Sequence, residues 1–257
     1  MPAVTWDPAT YLHFRDERSR PFIDLLSRVD ATPGSIVDLG CGPGHLTPVL
    51  RARWPAACIT GLDSSPHMVA AARRDHSGPN VRYVCADLRE WLPPRPVDLV
   101  VSNATLQWVP DHLQLLPRLA AAATTLAFSV PGNFSEPSHL LLRRLAAEEP
   151  YRTWTADVEQ PSAHDAGTYL DALAGRGWTV DAWETTYQHV LADADAVFDW
   201  IRGTGARPVL QSLPGDLRER FEATYKQRLR EAYPVRAHGT VLPFRRVFVV
   251  ARRGAAS

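Results

Sequence analysis

Between residues 35 and 130 the chain alternates short apolar runs with helical stretches, and no other feature limits its fold so sharply. Ser35–Leu39, Cys58–Asp63, Val81–Asp87, Asp98–Asn103 and Leu126–Val130 each carry the β-branched and aliphatic density of a buried strand. The segments between them include helical readings at 44–53, from Pro66 to about Arg74, and at 112–123. Ser65 is placed to cap the second of these, with Pro66 in its first turn. Strands joined by helical crossovers lie parallel and stack right-handedly into one open sheet, so the class is α/β.

The alternation then stops. Residues 133–178 read as mostly helical, Thr179–His189 as a strand, 196–233 as helical again, and Phe244–Arg252 as a closing strand. This predicts a mostly parallel seven-stranded sheet with helices on both faces, in a single domain over 1–257. An N-terminal helical segment (1–30) precedes a core (31–132). Insertions at 133–178 and 194–240 lie where a substrate lid is expected beyond the strand ends. Within 10–29 the prolyl ring of Pro21 predicts two short helices with a break at Arg20-Pro21.

Asp38-Leu39-Gly40-Cys41-Gly42-Pro43-Gly44 joins the first strand to the first crossover. Glycines there let backbone approach a ligand, beside the unpaired N–H groups that open a helix. The spacing is G-x-G-x-G with His45 where a dinucleotide loop needs its third glycine, and no GK[ST] follows for a phosphate cradle. By itself the cluster is a tight turn. Two acids give it chemical sense: Asp63 ends the second strand and Asp87 the third, at the carboxyl edge where such sheets bind ligands. Each acid alone fits a helix cap; behind a glycine loop, an acid ending the second strand is placed to accept both hydroxyls of a ribose.

Composition narrows the partners. Twenty-eight basic residues balance 28 acidic ones, so the formal charge is zero, which argues against a chain that tracks nucleic-acid phosphates or an anionic membrane. No apolar run approaches a membrane span, and Met1–Arg20 lacks the apolar core of a signal peptide. The three cysteines, Cys41, Cys58 and Cys85, form neither a disulfide framework nor a metal motif. The expectation is a cytoplasmic protein with no metal, no nucleic-acid partner and no membrane partner; the oligomeric state is open.

With DLGCGPG, GLDSS and CADL in place, the chain resembles the class I S-adenosylmethionine-dependent methyltransferases, whose fold is Rossmann-like. More narrowly, Trp6–Leu12 (WDPATYL), Arg18–Val29 (RSRPFIDLLSRV), Ser102–His112 (SNATLQWVPDH), Pro131–His139 (PGNFSEPSH) and the closing LPFRRVF resemble the trans-aconitate methyltransferases. The resemblance implies S-adenosyl-L-methionine as cofactor. Gly40 and Gly42 pass under its methionine part, with Asp38 near the ammonium. Asp63 takes the ribose hydroxyls, with Ser64 beside it, and Met68 packs near the adenine. Asp87 and the Leu88 backbone N–H meet the adenine edge, and Asn103 flanks the methionine moiety.

The implied reaction is methyl transfer to a carboxylate of trans-aconitate, giving a monomethyl ester. A carboxylate is already ionised at neutral pH, so no catalytic base is required and none is assigned; alignment and exclusion of water supply the acceleration. The remaining carboxylates of a small tricarboxylate need forked cations or donors. The candidates are Arg18, Arg20, Arg245 and Arg246, with hydrogen bonds from Tyr11, Asn133 and His139. Trp108 reads equally as a wall of the transfer site or a core aromatic. Arg245 and Arg246 are neighbours on one strand, so at most one faces the substrate. Other readings of the same residues are a methyltransferase for another small acid or a carrier-bound malonyl group, and a non-catalytic S-adenosylmethionine-binding protein. The tetrapeptide of amino-methylating nucleic-acid enzymes is missing: Ser102-Asn103-Ala104-Thr105 stands after strand four.

Overall fold

The computed structural model describes residues 15–175 and 177–254, with side chains from Ser19 onward. The first helix, α1, spans Arg15–Ser27 and runs through Pro21 without the expected break. An interior proline costs a helix about 3 kcal/mol. Against that, Phe22, Leu25 and Leu26 are each fully or almost fully buried, and burying one such side chain is worth about 1.5–3 kcal/mol. Packing overrides the local preference.

The strands are β1 (Ser35–Leu39), β2 (Cys58–Asp63), β3 (Val81–Cys85), β4 (Val97–Asn103), β5 (Ala123–Pro131), β6 (Trp178–Leu191), a two-residue β7 (Val235–Arg236) and β8 (Gly239–Arg253). They form one sheet in the order β3-β2-β1-β4-β5-β8-β6, with β7 hairpinned onto β8. The pairs β1–β2, β1–β4, β2–β3 and β4–β5 are parallel. β8 returns antiparallel beside β5. The mostly parallel α/β sheet with seven main strands is therefore as the sequence predicts, and β7 is an addition.

Differences lie at the boundaries. β3 stops at Cys85, two residues short of the expected Asp87, because its neighbour β2 ends at Asp63, in register with Cys85, and the Ala86 N–H makes the last bond of that ladder to the Asp63 carbonyl (3.0 Å). The helix expected at 44–53, α2, starts only at Thr47, since residues 44–46 complete the glycine turn. The later helices are α3 (Pro66–His76), α4 (His112–Ala121), α5 (Pro137–Ala146), α6 (Arg152–Thr155), α7 (Ala166–Leu173), α8 (Ala196–Arg202), α9 (Arg207–Ser212) and α10 (Gly215–Ala232).

The chain gathers into two compact units. One contains the described residues up to Pro131, Ala163–Thr185 and the residues from Arg246 on; the other contains Gly132–Ser162 and Thr186–Arg245. In the first, a core of Leu39, Val100, Leu126, Phe128 and Val249 fills one face of the sheet. Helix α7 belongs to this unit, although 133–178 reads as one insertion. Tyr169 is fully buried edge-on against Phe128 (5.2 Å between centroids), and its hydroxyl meets His112 Nε2 at 2.7 Å. The second unit is helical, with α5 and α8 packed against α10. There the Ser138 carbonyl accepts from the Tyr225 hydroxyl (2.7 Å), and its N–H donates to the Tyr233 hydroxyl (3.1 Å).

Candidate active site

Because β1, β2, β4 and β5 run parallel, their carboxyl ends share one edge of the sheet. β1 leads there into three left-handed glycines: Gly40 (φ 72°), Gly42 (φ 55°) and Gly44 (φ 78°). At Gly40 the requirement is also steric, since a Cβ would lie 2.1 Å from Thr105 Oγ1. The loop is tied across the strands. Both Gly40 N–H (2.7 Å) and Cys41 N–H (3.0 Å) donate to the Leu62 carbonyl, and Thr105 Oγ1 donates to the Gly40 carbonyl (3.3 Å). Among the described residues a Cβ on Gly42 would meet nothing within 4 Å.

The acids around this loop are in different states. Asp63 is fastened: one oxygen accepts from Gly42 N–H and the other from Ser65 N–H, each at 2.9 Å. Burial raises its pKa, and the two N–H groups work against that rise. Asp38 is only 2% exposed, and among the described residues its Oδ2 has no hydrogen-bond partner. Burial, with the Asp63 charge adding to it, pushes its pKa up to about 7. A buried carboxyl lacking a partner, next to a second carboxylate, is built to receive a cation and repels a phosphate.

Asp87 lies in the turn after β3, where its carboxylate takes the Arg89 N–H (2.8 Å) and pairs with the Arg89 guanidinium (2.6 Å). That pairing holds its pKa below the usual carboxylate range. Leu88 and Met68 are buried, whereas Ser64 is exposed. Asn103, at the end of β4, accepts from Ser129 Oγ through Oδ1 (2.6 Å), and Trp108 is half-buried on the 3₁₀ turn Leu106–Trp108.

The residues predicted for the substrate are scattered more widely. Tyr11 and the side chain of Arg18 lie outside the described residues. Arg20 is exposed, 4.0 Å from Asp24. In the helical unit Asn133 is buried, with no partner for its Oδ1 among the described residues. His139 sits in the first turn of α5, with Nδ1 3.2 Å from Ser138 Oγ and Phe134 edge-on to its ring. Burial, and secondarily the Arg143 charge, lower its pKa to about 4, so at neutral pH it is uncharged. The paired arginines part as strand alternation requires. Arg245 is committed to the Gly132 carbonyl through Nε (2.8 Å), while Arg246, opposite Pro131 in the β5–β8 register, is 4% exposed. Among the described residues no cluster of His, Cys, Asp and Glu is arranged to hold a metal.

Residues 36–124 match the family model of a methyltransferase domain. The trans-aconitate 2-methyltransferase of Streptomyces avermitilis is 49% identical, covering 99% of this chain and all of the relative. That of Escherichia coli O157:H7 is 44% identical over 96% of this chain and 98% of its own. The chain belongs to the trans-aconitate 2-methyltransferase family. Among solved structures, the YcgJ protein of Bacillus subtilis shares the fold, with a TM-score of 0.60 at 12% identity over 91% of this chain and 98% of its own.

A trans-aconitate 2-methyltransferase family member is an S-adenosylmethionine-dependent O-methyltransferase, and the residues present fit that cofactor. Its ammonium would suit Asp38 Oδ2, which has no partner among the described residues, and its hydroxyls would suit Asp63, whose carboxylate is already oriented. The sequence reading missed the residues that hold Gly40, Asn103 and Asp87 in place. Thr105 fills the space that makes Gly40 obligatory, Ser129 orients Asn103, and Arg89 occupies Asp87. Of these, Thr105 stands inside the SNATLQWVPDH motif, which was the available signal.

Proposed function

We propose that this protein transfers a methyl group from S-adenosylmethionine to one carboxylate of trans-aconitate, producing a monomethyl ester. The observation that carries this reading is the extent of the similarity. The methyltransferase-domain match ends at residue 124, yet identity to the Streptomyces relative covers 99% of the chain. The helical segments and the last strand, which lie outside the matched domain, are therefore shared as well.

When bound, the cofactor supplies an electrophilic methyl on a positively charged sulfur. The chain's own contribution is to bind, align and dehydrate. Asp38 answers the ammonium and Asp63 the ribose hydroxyls, with Gly40 and Gly42 giving close backbone approach and Ser64, Met68, Asp87 and Leu88 the adenosine end. No side chain has to remove a proton, because the attacking carboxylate is ionised at neutral pH. Opposite charges cancel as the methyl moves, so surroundings poor in water favour the step over bulk solvent. In this reading the insertions 133–178 and 194–240 form the substrate lid. Arg246 meets a spectator carboxylate with its fork, while Asn133 and neutral His139 donate hydrogen bonds. Arg18, Arg20, Tyr11, Trp108 and Arg245 complete the proposed substrate set.

The reading places the protein in the cytosol. Among the described residues no helix is long and apolar enough to cross a membrane, and Cys58 and Cys85 are exposed and unbridged. Methyl transfer from labelled cofactor to a panel of small acids and a malonyl-carrier protein, read by mass, tests the function. Trans-aconitate should turn over far faster than cis-aconitate, citrate or the carrier. Turnover of another acid alone would refute the substrate while keeping the reaction class.

A further inference from the structure

After β4, Ala104 adopts a left-handed φ of 56°, and Gln107 closes the turn by donating from Nε2 to the Ala104 carbonyl at 2.7 Å. Only the nitrogen of an amide donates, so this bond fixes which end points away: Oε1. That oxygen is buried, on a side chain 5% exposed, and among the described residues nothing donates to it. A buried acceptor without a partner is costly, and an internal donor would have removed the cost.

Asn103, four residues earlier, is fixed in the opposite sense. Its Oδ1 is taken by Ser129 Oγ, so among the described residues Nδ2 is the uncommitted end. The two amides thus leave one acceptor and one donor at the carboxyl end of β4. This segment is locked to the glycine loop through Thr105 and Gly40, two residues beyond Asp38. An α-amino acid is a zwitterion and offers the complement: an ammonium to accept from and a carboxylate to donate to. The trianion of trans-aconitate offers acceptors only, so Gln107 Oε1 has nothing to receive from it. Ribose hydroxyls are answered on the β2 side by Asp63, across β1 from this turn.

We propose that Gln107 is a binding residue for the methionine end of the cofactor, its Oε1 accepting from the α-ammonium beside Asp38 while Asn103 Nδ2 donates to the α-carboxylate. This rests on the S-adenosylmethionine reading above. The turn is then a discriminator: it favours a ligand carrying a free amino group over an adenosyl thioether lacking one.

The test is a cycle of two ligands against one residue, read by calorimetry on the full chain. S-adenosylhomocysteine and its deaminated analogue, S-adenosyl-4-thiobutyrate, are titrated into wild type and Gln107→Leu, with Gln107→Met as a second apolar variant should the leucine not fold. A hydrogen bond to a charged group predicts that S-adenosylhomocysteine binds the variant on the order of 10- to 100-fold more weakly. The deaminated analogue should bind both proteins within about twofold. Equal losses for both ligands would overturn the proposal, because Gln107 would then serve only the turn. No loss for S-adenosylhomocysteine would overturn it as well. Wild type failing to bind S-adenosylhomocysteine at all would instead refute the cofactor reading beneath it.

Discussion

Replacing Asp38 with asparagine keeps the side-chain volume and removes the one group in the glycine loop's strand that is held against its preference. Its carboxyl titrates near 3.8 in the open chain and at about 7 in the folded protein, with burial the larger cause and Asp63 the second. The folded state therefore holds the proton more tightly. Stability falls as pH rises from about 4 to about 7, and the full penalty stands above 7. At 1.36 kcal/mol per unit, that gap corresponds to about 4 kcal/mol. Asparagine never ionises and carries none of it.

Urea unfolding of the ligand-free proteins at pH 4.5, 6 and 8.5 should show Asp38→Asn gaining on wild type as pH rises, by up to about 4 kcal/mol at the top. The same variant should bind S-adenosylhomocysteine poorly at every pH. Wild type should lose about tenfold in affinity per pH unit below about 7, because the proton on Asp38 must leave before an ammonium is met. Asp63, raised in the same direction, steepens that loss, whereas burial keeps the Cys41 thiol protonated and out of the titration. A stability difference that does not change with pH, or an asparagine variant weaker than wild type at pH 8.5, would refute the argument.

Asp63→Ala should weaken cofactor binding more than 100-fold, since it removes a ribose acceptor and also releases the Gly42 and Ser65 N–H groups it holds; calorimetry reads this, and an unchanged affinity would remove the ribose assignment. Gly40→Ala should abolish cofactor binding through its clash with Thr105, and the double variant with Thr105→Ala should recover only part, because the left-handed backbone still disfavours a side chain. Arg246→Ala should raise the KM for trans-aconitate on the order of 100-fold with cofactor affinity nearly unchanged, while Arg245→Ala, whose guanidinium is spent on Gly132, should move KM much less; initial-rate kinetics separate the two. His139, held at about 4 in the fold, favours folding at neutral pH and costs about 3 kcal/mol as pH falls from 6.5 to 4; His139→Gln should flatten that part of the acid unfolding curve.

What the sequence by itself determined is whatever depends on neighbours along the chain. The spacing of apolar runs set the parallel α/β sheet. Gly40, Gly42 and Gly44 announced a left-handed turn that other residue types enter only at a cost, and Asp63 and Asp87 pointed to the carboxyl edge because strand ends are read from local sequence. Tertiary structure decided whatever depends on neighbours across it. Pro21 reads as a break until Phe22, Leu25 and Leu26 are buried, and residues 166–173 read as insertion until Tyr169 finds Phe128 and His112. Arg245 and Arg246 are indistinguishable as letters; only the register opposite Pro131 makes one a backbone tie and the other a buried cation. The proton on Asp38 and the outward ends of Asn103 and Gln107 were likewise invisible, because desolvation and amide orientation come from groups far apart in the chain and close only once the sheet has formed.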